Sequence, residues 1–128
     1  MKNLFLFFIL LFAGPLVSTS YSGPLELQVK DFDCLEDGKV SVQYTLTNPN
    51  DFEYPNVTLG FKIKENEKPI ACKEFQTSAP EGSEEKELII MAPCKTGTSY
   101  TLDSQIFYNV KRYIIEEWFS DCTQERQD

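Results

Sequence analysis

The 128-residue chain contains no histidine, a single tryptophan (Trp118), and twelve Lys and Arg residues against twenty Asp and Glu. Without histidine, triad and Cys-His chemistry has no proton carrier, and zinc-finger ligand sets are incomplete. The formal net charge of −8 argues against a nucleic-acid partner, because phosphate backbones need clustered cations. Beyond residue 20 no apolar run approaches bilayer-spanning length, so no membrane span is expected. There is no C-x-x-C either: Cys34, Cys72, Cys94 and Cys122 are widely spaced, which removes the thioredoxin-like and zinc readings. No catalytic residue, metal or cofactor is expected.

What is present begins with Lys2 and the run LFLFFILLF over residues 4–12, followed by Ala13, Gly14 and Pro15. A positive start, a short apolar stretch and small residues predict a secretory signal peptide over 1–20. Its removal leaves eleven basic and twenty acidic residues, a net charge of −9. A secreted, extracellular protein is expected, with one domain over 21–122 and a polar tail over 123–128. In an oxidising compartment, four cysteines in so short a chain predict two disulfides, in one of three connectivities.

Val40, Val42, Tyr44 and Leu46 alternate with Ser41, Gln43, Thr45 and Thr47, and Val57, Leu59, Phe61 and Ile63 alternate with Thr58, Gly60, Lys62 and Lys64. That period of two is a strand with one buried face. Breakers at EDGK (36–39), NPNDFEYP (48–55), ENEKP (65–69), SAPEGSEE (78–85), CKTGTS (94–99) and NVKR (109–112) cut the mature chain into seven strand-sized pieces. Strands are predicted near 25–34, 39–47, 56–64, 70–76, 86–92, 99–108 and 112–121. In the first, Leu25, Leu27 and Val29 share one phase and Phe32 and Cys34 the other, which predicts a bulge. The stretch RYIIEEWF (112–119) is read as a strand because it is rich in Ile, Tyr, Trp and Phe.

Seven short strands at ten-residue intervals predict an all-β, seven-stranded antiparallel β-sandwich. The run MAPCKTGTSYTLDSQIFY resembles the fibronectin type III passage from fifth to sixth strand, with Met91, Pro93, Gly97, Thr98 and Tyr100 in its apolar, proline, Gly-Thr and tyrosine places. It departs from that passage by inserting Cys94, Lys95 and Thr96, and the chain lacks the early core tryptophan. The resemblance implies a fibronectin type III or immunoglobulin-like fold, with strands one, two and five in one sheet and seven, six, three and four in the other. In that topology Cys34 and Cys122 share one flank and Cys72 and Cys94 the other, which implies the pairs Cys34–Cys122 and Cys72–Cys94.

The same topology gathers the loops 48–56, 77–86 and 109–112 at the pole opposite the cysteines. There Phe52, Tyr54, Tyr108, Lys111, Arg112 and Tyr113 are the candidate partner-binding residues, beside the acidic Glu81, Glu84 and Glu85. Aromatic rings beside arginine are the groups that carry energy in protein interfaces. Asn56-Val57-Thr58 is an N-glycosylation sequon, which in a secreted chain makes Asn56 a glycosylation site. The acids of DFDCLEDG lack the pattern of a calcium loop and read better as a solvated strand followed by a turn at Asp37-Gly38. Two functions are expected. The first is a non-catalytic binding protein for an extracellular protein or receptor. The alternative is a lipid carrier, implied by a similarity of the terminal cysteines and CKTGTSY…YIIEEWFSDC to secreted lipid-recognition sandwiches of the mite-allergen and sterol-carrier type. The placement of Cys72 and Cys94 is also similar to the prolactin-inducible secretory protein family, itself a fibronectin-like sandwich.

Overall fold

The computed structural model describes residues 23–36, 38–123, 126 and 127. The predicted signal peptide over 1–20 and Asp37 lie outside the described residues. Strands β1 (Glu26–Cys34), β2 (Lys39–Asn48), β3 (Tyr54–Glu65), β4 (Lys68–Ala79), β5 (Gly82–Met91) and β6 (Thr101–Phe107) are followed by a helix, α1 (Arg112–Trp118). They form two packed antiparallel sheets, ordered β1-β2-β5 and β4-β3-β6. The predicted bulge in β1 falls between Val29 and Asp31, where the register against β2 shifts.

The alternation in β2 and β3 is what joins the sheets. Val40, Val42, Tyr44 and Leu46 face Val57, Leu59, Phe61 and Ile63 across the interior, all at 2 % exposure or less. The Tyr44 and Phe61 rings meet with centroids 5.8 Å apart. The β3–β4 hairpin closes on Asn66 and Glu67, both at positive φ (52° and 67°), the backbone that a two-residue turn of matching twist requires.

Three expectations are corrected. Residues 112–118 are helix, not a seventh strand. As a strand this stretch would have split its apolar residues between two faces. As a helix it brings Ile114, Ile115, Trp118 and Phe119 together at spacings of three and four. The helix lies on the outer face of the β4-β3-β6 sheet, where Cys72, Phe107, Ile115 and Phe119 form a second buried cluster. Gly60 makes room for it: a Cβ there would stand 2.7 Å from the Trp118 ring and 3.1 Å from Phe119.

The second correction is the disulfide pairing. The bonds are Cys34–Cys94 and Cys72–Cys122, with Cα–Cα distances of 5.9 and 6.4 Å. Cys34 ends β1 and Cys94 lies three residues past the end of β5, on the far side of β2. The chain after β5 folds over the start of β2, with Ala92 N donating to Gly38 O and Cys94 Sγ 3.6 Å from Lys39 O, so the intervening strand is no barrier. Cys72 points outward from β4, level with Lys62, and a helix laid on that face delivers Cys122 to it. The third correction concerns lengths: β4 and β5 are both longer than predicted, and the loop between them shrinks to Pro80 and Glu81.

Two residues of the tail, Arg126 and Gln127, pack back against the sheets. Gln127 forms a parallel bridge with Lys73 on the edge of β4, while its side-chain amide donates to Met91 O and accepts from Met91 N on β5. It thereby ties the two sheets together along one seam. The Cys34–Cys94 bond closes the opposite pole from the β2–β3 and β4–β5 connections.

Candidate functional site

The β2–β3 connection is built on two asparagines. Asn48 and Asn50 are each 1 % exposed, and a buried amide is costly unless its hydrogen bonds are met. Asn48 meets all four: Nδ2 donates to Phe52 O and Ala79 O at 2.8 Å each, and Oδ1 accepts from Asn50 N at 2.9 Å and Asn50 Nδ2 at 2.8 Å. Asn50 then exchanges two 3.0 Å bonds with the backbone of Gly23. The loop is therefore fixed from inside, by residues that the sequence presents only as turn formers.

Fixing the loop sets the rings. Phe52 is 48 % exposed and leans on Tyr54 at 5.1 Å between centroids, and Tyr54 meets Tyr108 edge-on at 5.2 Å. The Tyr108 hydroxyl accepts from Leu25 N at 3.0 Å, which holds the start of β1. Of the three rings, Phe52 presents most surface, while Tyr54 and Tyr108 are half-buried supports.

Arg112 does not join this row. Its guanidinium forms a bidentate pair with Glu74 in the middle of β4 and also binds Glu116 one turn along α1. Arg126 completes the set, 2.8 Å from Glu74 and 2.7 Å from Glu116, with its guanidinium 4.4 Å above the Phe119 ring. The two arginines hold both carboxyls below the usual carboxylate range, Arg112 being the main cause at Glu74 and Arg126 at Glu116, whose pKa falls to about 2. Beneath them Lys62, buried on the outer face of β3, binds Asp121 at 2.8 Å and lies 4.1 Å over the Trp118 ring. Its ammonium keeps the Asp121 carboxyl low. These four-charge and two-charge sets clamp the helix and tail to the sheet.

Lys111 precedes α1 and is exposed, as is Tyr113. Asn56 is exposed on β3, one residue before the register with β4 resumes at Val57. The acids Glu84 and Glu85 lie within β5 and pair with Lys86 and Lys30. Sequence reasoning missed Glu74, Glu116, Arg126, Asn48 and Asn50. The i,i+4 spacing of Arg112 and Glu116 was a visible sign of a helix, whereas the partnership with Glu74 depends on how the helix crosses the sheet. Set against models of known families, curated proteins and solved structures, the chain matches none.

Proposed function

We propose that this chain is a secreted, non-catalytic binding module of fibronectin type III or immunoglobulin-like ancestry that engages an extracellular protein through the tip bearing Phe52. The ancestry is supported by the sheet orders β1-β2-β5 and β4-β3-β6 and by Tyr100, whose hydroxyl accepts from Lys95 N at 2.8 Å just before β6. A tyrosine bonding back to the backbone at that corner marks Greek-key sandwiches. Two disulfides point to an oxidising compartment, which fits the signal-like start of the chain.

The observation that carries the binding reading is the pairing of an exposed Phe52 with a loop locked by Asn48. A large ring held in place before binding loses little conformational entropy on association. Lipid carriage between the sheets is the weaker reading, since Tyr44 and Phe61 occupy that space themselves.

The test is a binding screen of the tetramerised protein against an array of receptor ectodomains, repeated with Phe52→Ala. The variant keeps the wild-type melting curve and loses about tenfold or more in affinity for the partner, the scale of an interface anchor. A partner bound equally well by the variant places the interface elsewhere. A lipid mass retained on the purified protein under native conditions would replace this reading with the carrier.

A further inference from the structure

A groove of about 500 Å³ opens on the outer face of the second sheet, between the start of β3 and the segment that leads into α1. None of the residues that line it is charged, although a quarter of the chain is. An ionic ligand would find no counter-charge there. The groove offers amide and hydroxyl groups from Thr58, Gln76 and Asn109 around apolar surface from Val110 and Ile115. Neutral donors and acceptors beside an apolar floor suit a sugar ring, which has hydroxyls at its rim and C–H groups on its faces. Asn56, the acceptor of the sequon, is itself part of the wall.

We propose that Asn56 carries an N-linked glycan whose first N-acetylhexosamine units lie in this groove. Attachment forms the bond from Asn56 Nδ2 to C1 of an oligosaccharide and breaks the C1–O bond to its polyprenyl diphosphate carrier. The carrier leaves as the diphosphate, and one amide proton passes to the transferase. Thr58 is buried in β3 in the folded protein, so attachment precedes pairing of that strand. Tethering makes the groove–sugar contact intramolecular, and contacts too weak to hold a free sugar then suffice. Val110, 44 % exposed, gains a cover. The proposal goes beyond the Phe52 reading and does not depend on it, because it concerns the sheet's outer face.

The experiment uses the full chain secreted from eukaryotic cells. Enzymatic release of N-glycans in heavy-oxygen water converts an occupied Asn56 into a labelled aspartate, read by peptide mass. Amide exchange of the peptides containing Gln76 and Val110 is then compared before and after glycan removal, and about fivefold slower exchange is expected with the glycan present. Val110→Glu preserves the sequon and is expected to keep the glycan while losing that protection. An unlabelled Asn56 overturns the proposal. So does an occupied Asn56 whose removal leaves exchange unchanged, or protection that survives Val110→Glu.

Discussion

Strand β3 separates two apolar clusters of very different size. On its inner face Val57, Leu59, Phe61 and Ile63 join a cluster of thirteen buried residues spanning both sheets. On its outer face Thr58, Gly60 and Lys62 lie under a cluster of four, Cys72, Phe107, Ile115 and Phe119. The inner cluster holds mainly by burial, with the Cys34–Cys94 disulfide at one pole. The outer one is reinforced at every side: a disulfide to Cys122, the Glu74–Arg112–Glu116–Arg126 set, Lys62 against Asp121 and Trp118, and Gln127 on the edge of β4. A seven-residue helix is far too short to persist by its own hydrogen bonds. Where apolar area is scarce, covalent and ionic links take over the fastening.

The contrast is broken most severely from the inside. Phe61→Ala removes a fully buried ring that touches Tyr44 and is expected to cost about 3–5 kcal/mol, read as a fall in the urea midpoint of the whole domain. Replacing Cys72 and Cys122 together by serine opens a loop with a sequence separation of 50 and is expected to cost about 3–4 kcal/mol. Its signature differs from that of Phe61→Ala: amide exchange rises at Ile115 and Phe119 first, while Leu59 stays protected. Simultaneous loss of protection at all three would mean that the two clusters are one cooperative unit.

Gly60→Ala probes the contact between them at smaller scale. The added methyl would press on the Trp118 and Phe119 rings at 2.7 and 3.1 Å, and overpacking of this kind costs about 1–3 kcal/mol. Without the rings above it, alanine would be the better strand residue. The sharper form is therefore a pair of measurements: Gly60→Ala destabilises the intact protein, and does so less in a Trp118→Ala background.

The two clusters also differ in how far the sequence discloses them. The inner one is written as strict alternation in residues 40–46 and 57–63, so those two strands, their buried faces and the bulge in β1 are legible from local pattern, whereas the strand order came only from the resemblance, with a seventh strand where α1 stands. The outer one is made of residues whose partners are remote. Ile115 and Phe119 suit either secondary structure by composition, and the room for the helix above Gly60 is set by a strand remote in sequence. The disulfides depended on that helix, since a seventh strand would have sent Cys122 to a different edge. At the tip, Phe52, Tyr54 and Tyr108 were visible as aromatic residues in loops, while the removal of Arg112 to Glu74 and the Asn48 lock required the folded backbone.

The mildest perturbation is acid. Glu74, Glu116 and Asp121 all titrate below the usual carboxylate range in the folded protein, through Arg112, Arg126 and Lys62. A carboxyl with a lowered folded pKa binds fewer protons folded than unfolded, so its contribution is complete above the unfolded value, near 4.3 for Glu. That contribution drains as pH falls through the folded values, which for Glu116 means toward about 2. The inner cluster has no counterpart among these three groups, so acid is expected to loosen the helix before the sheets. Trp118 is the only tryptophan and lies in α1 over Lys62, so its fluorescence reports the outer cluster while far-ultraviolet circular dichroism follows the strands. Between about pH 4.5 and 2 the fluorescence is expected to change first, and added salt to move that change toward higher pH by screening the exposed Glu116. Glu116→Gln should start the change at higher pH by removing one anion that both arginines share, and Asp121→Asn should act on Lys62 alone. Coincident fluorescence and dichroism transitions in the unaltered protein would show that the ionic clamp and the apolar core fail together, and the distinction between the two faces of β3 would not survive.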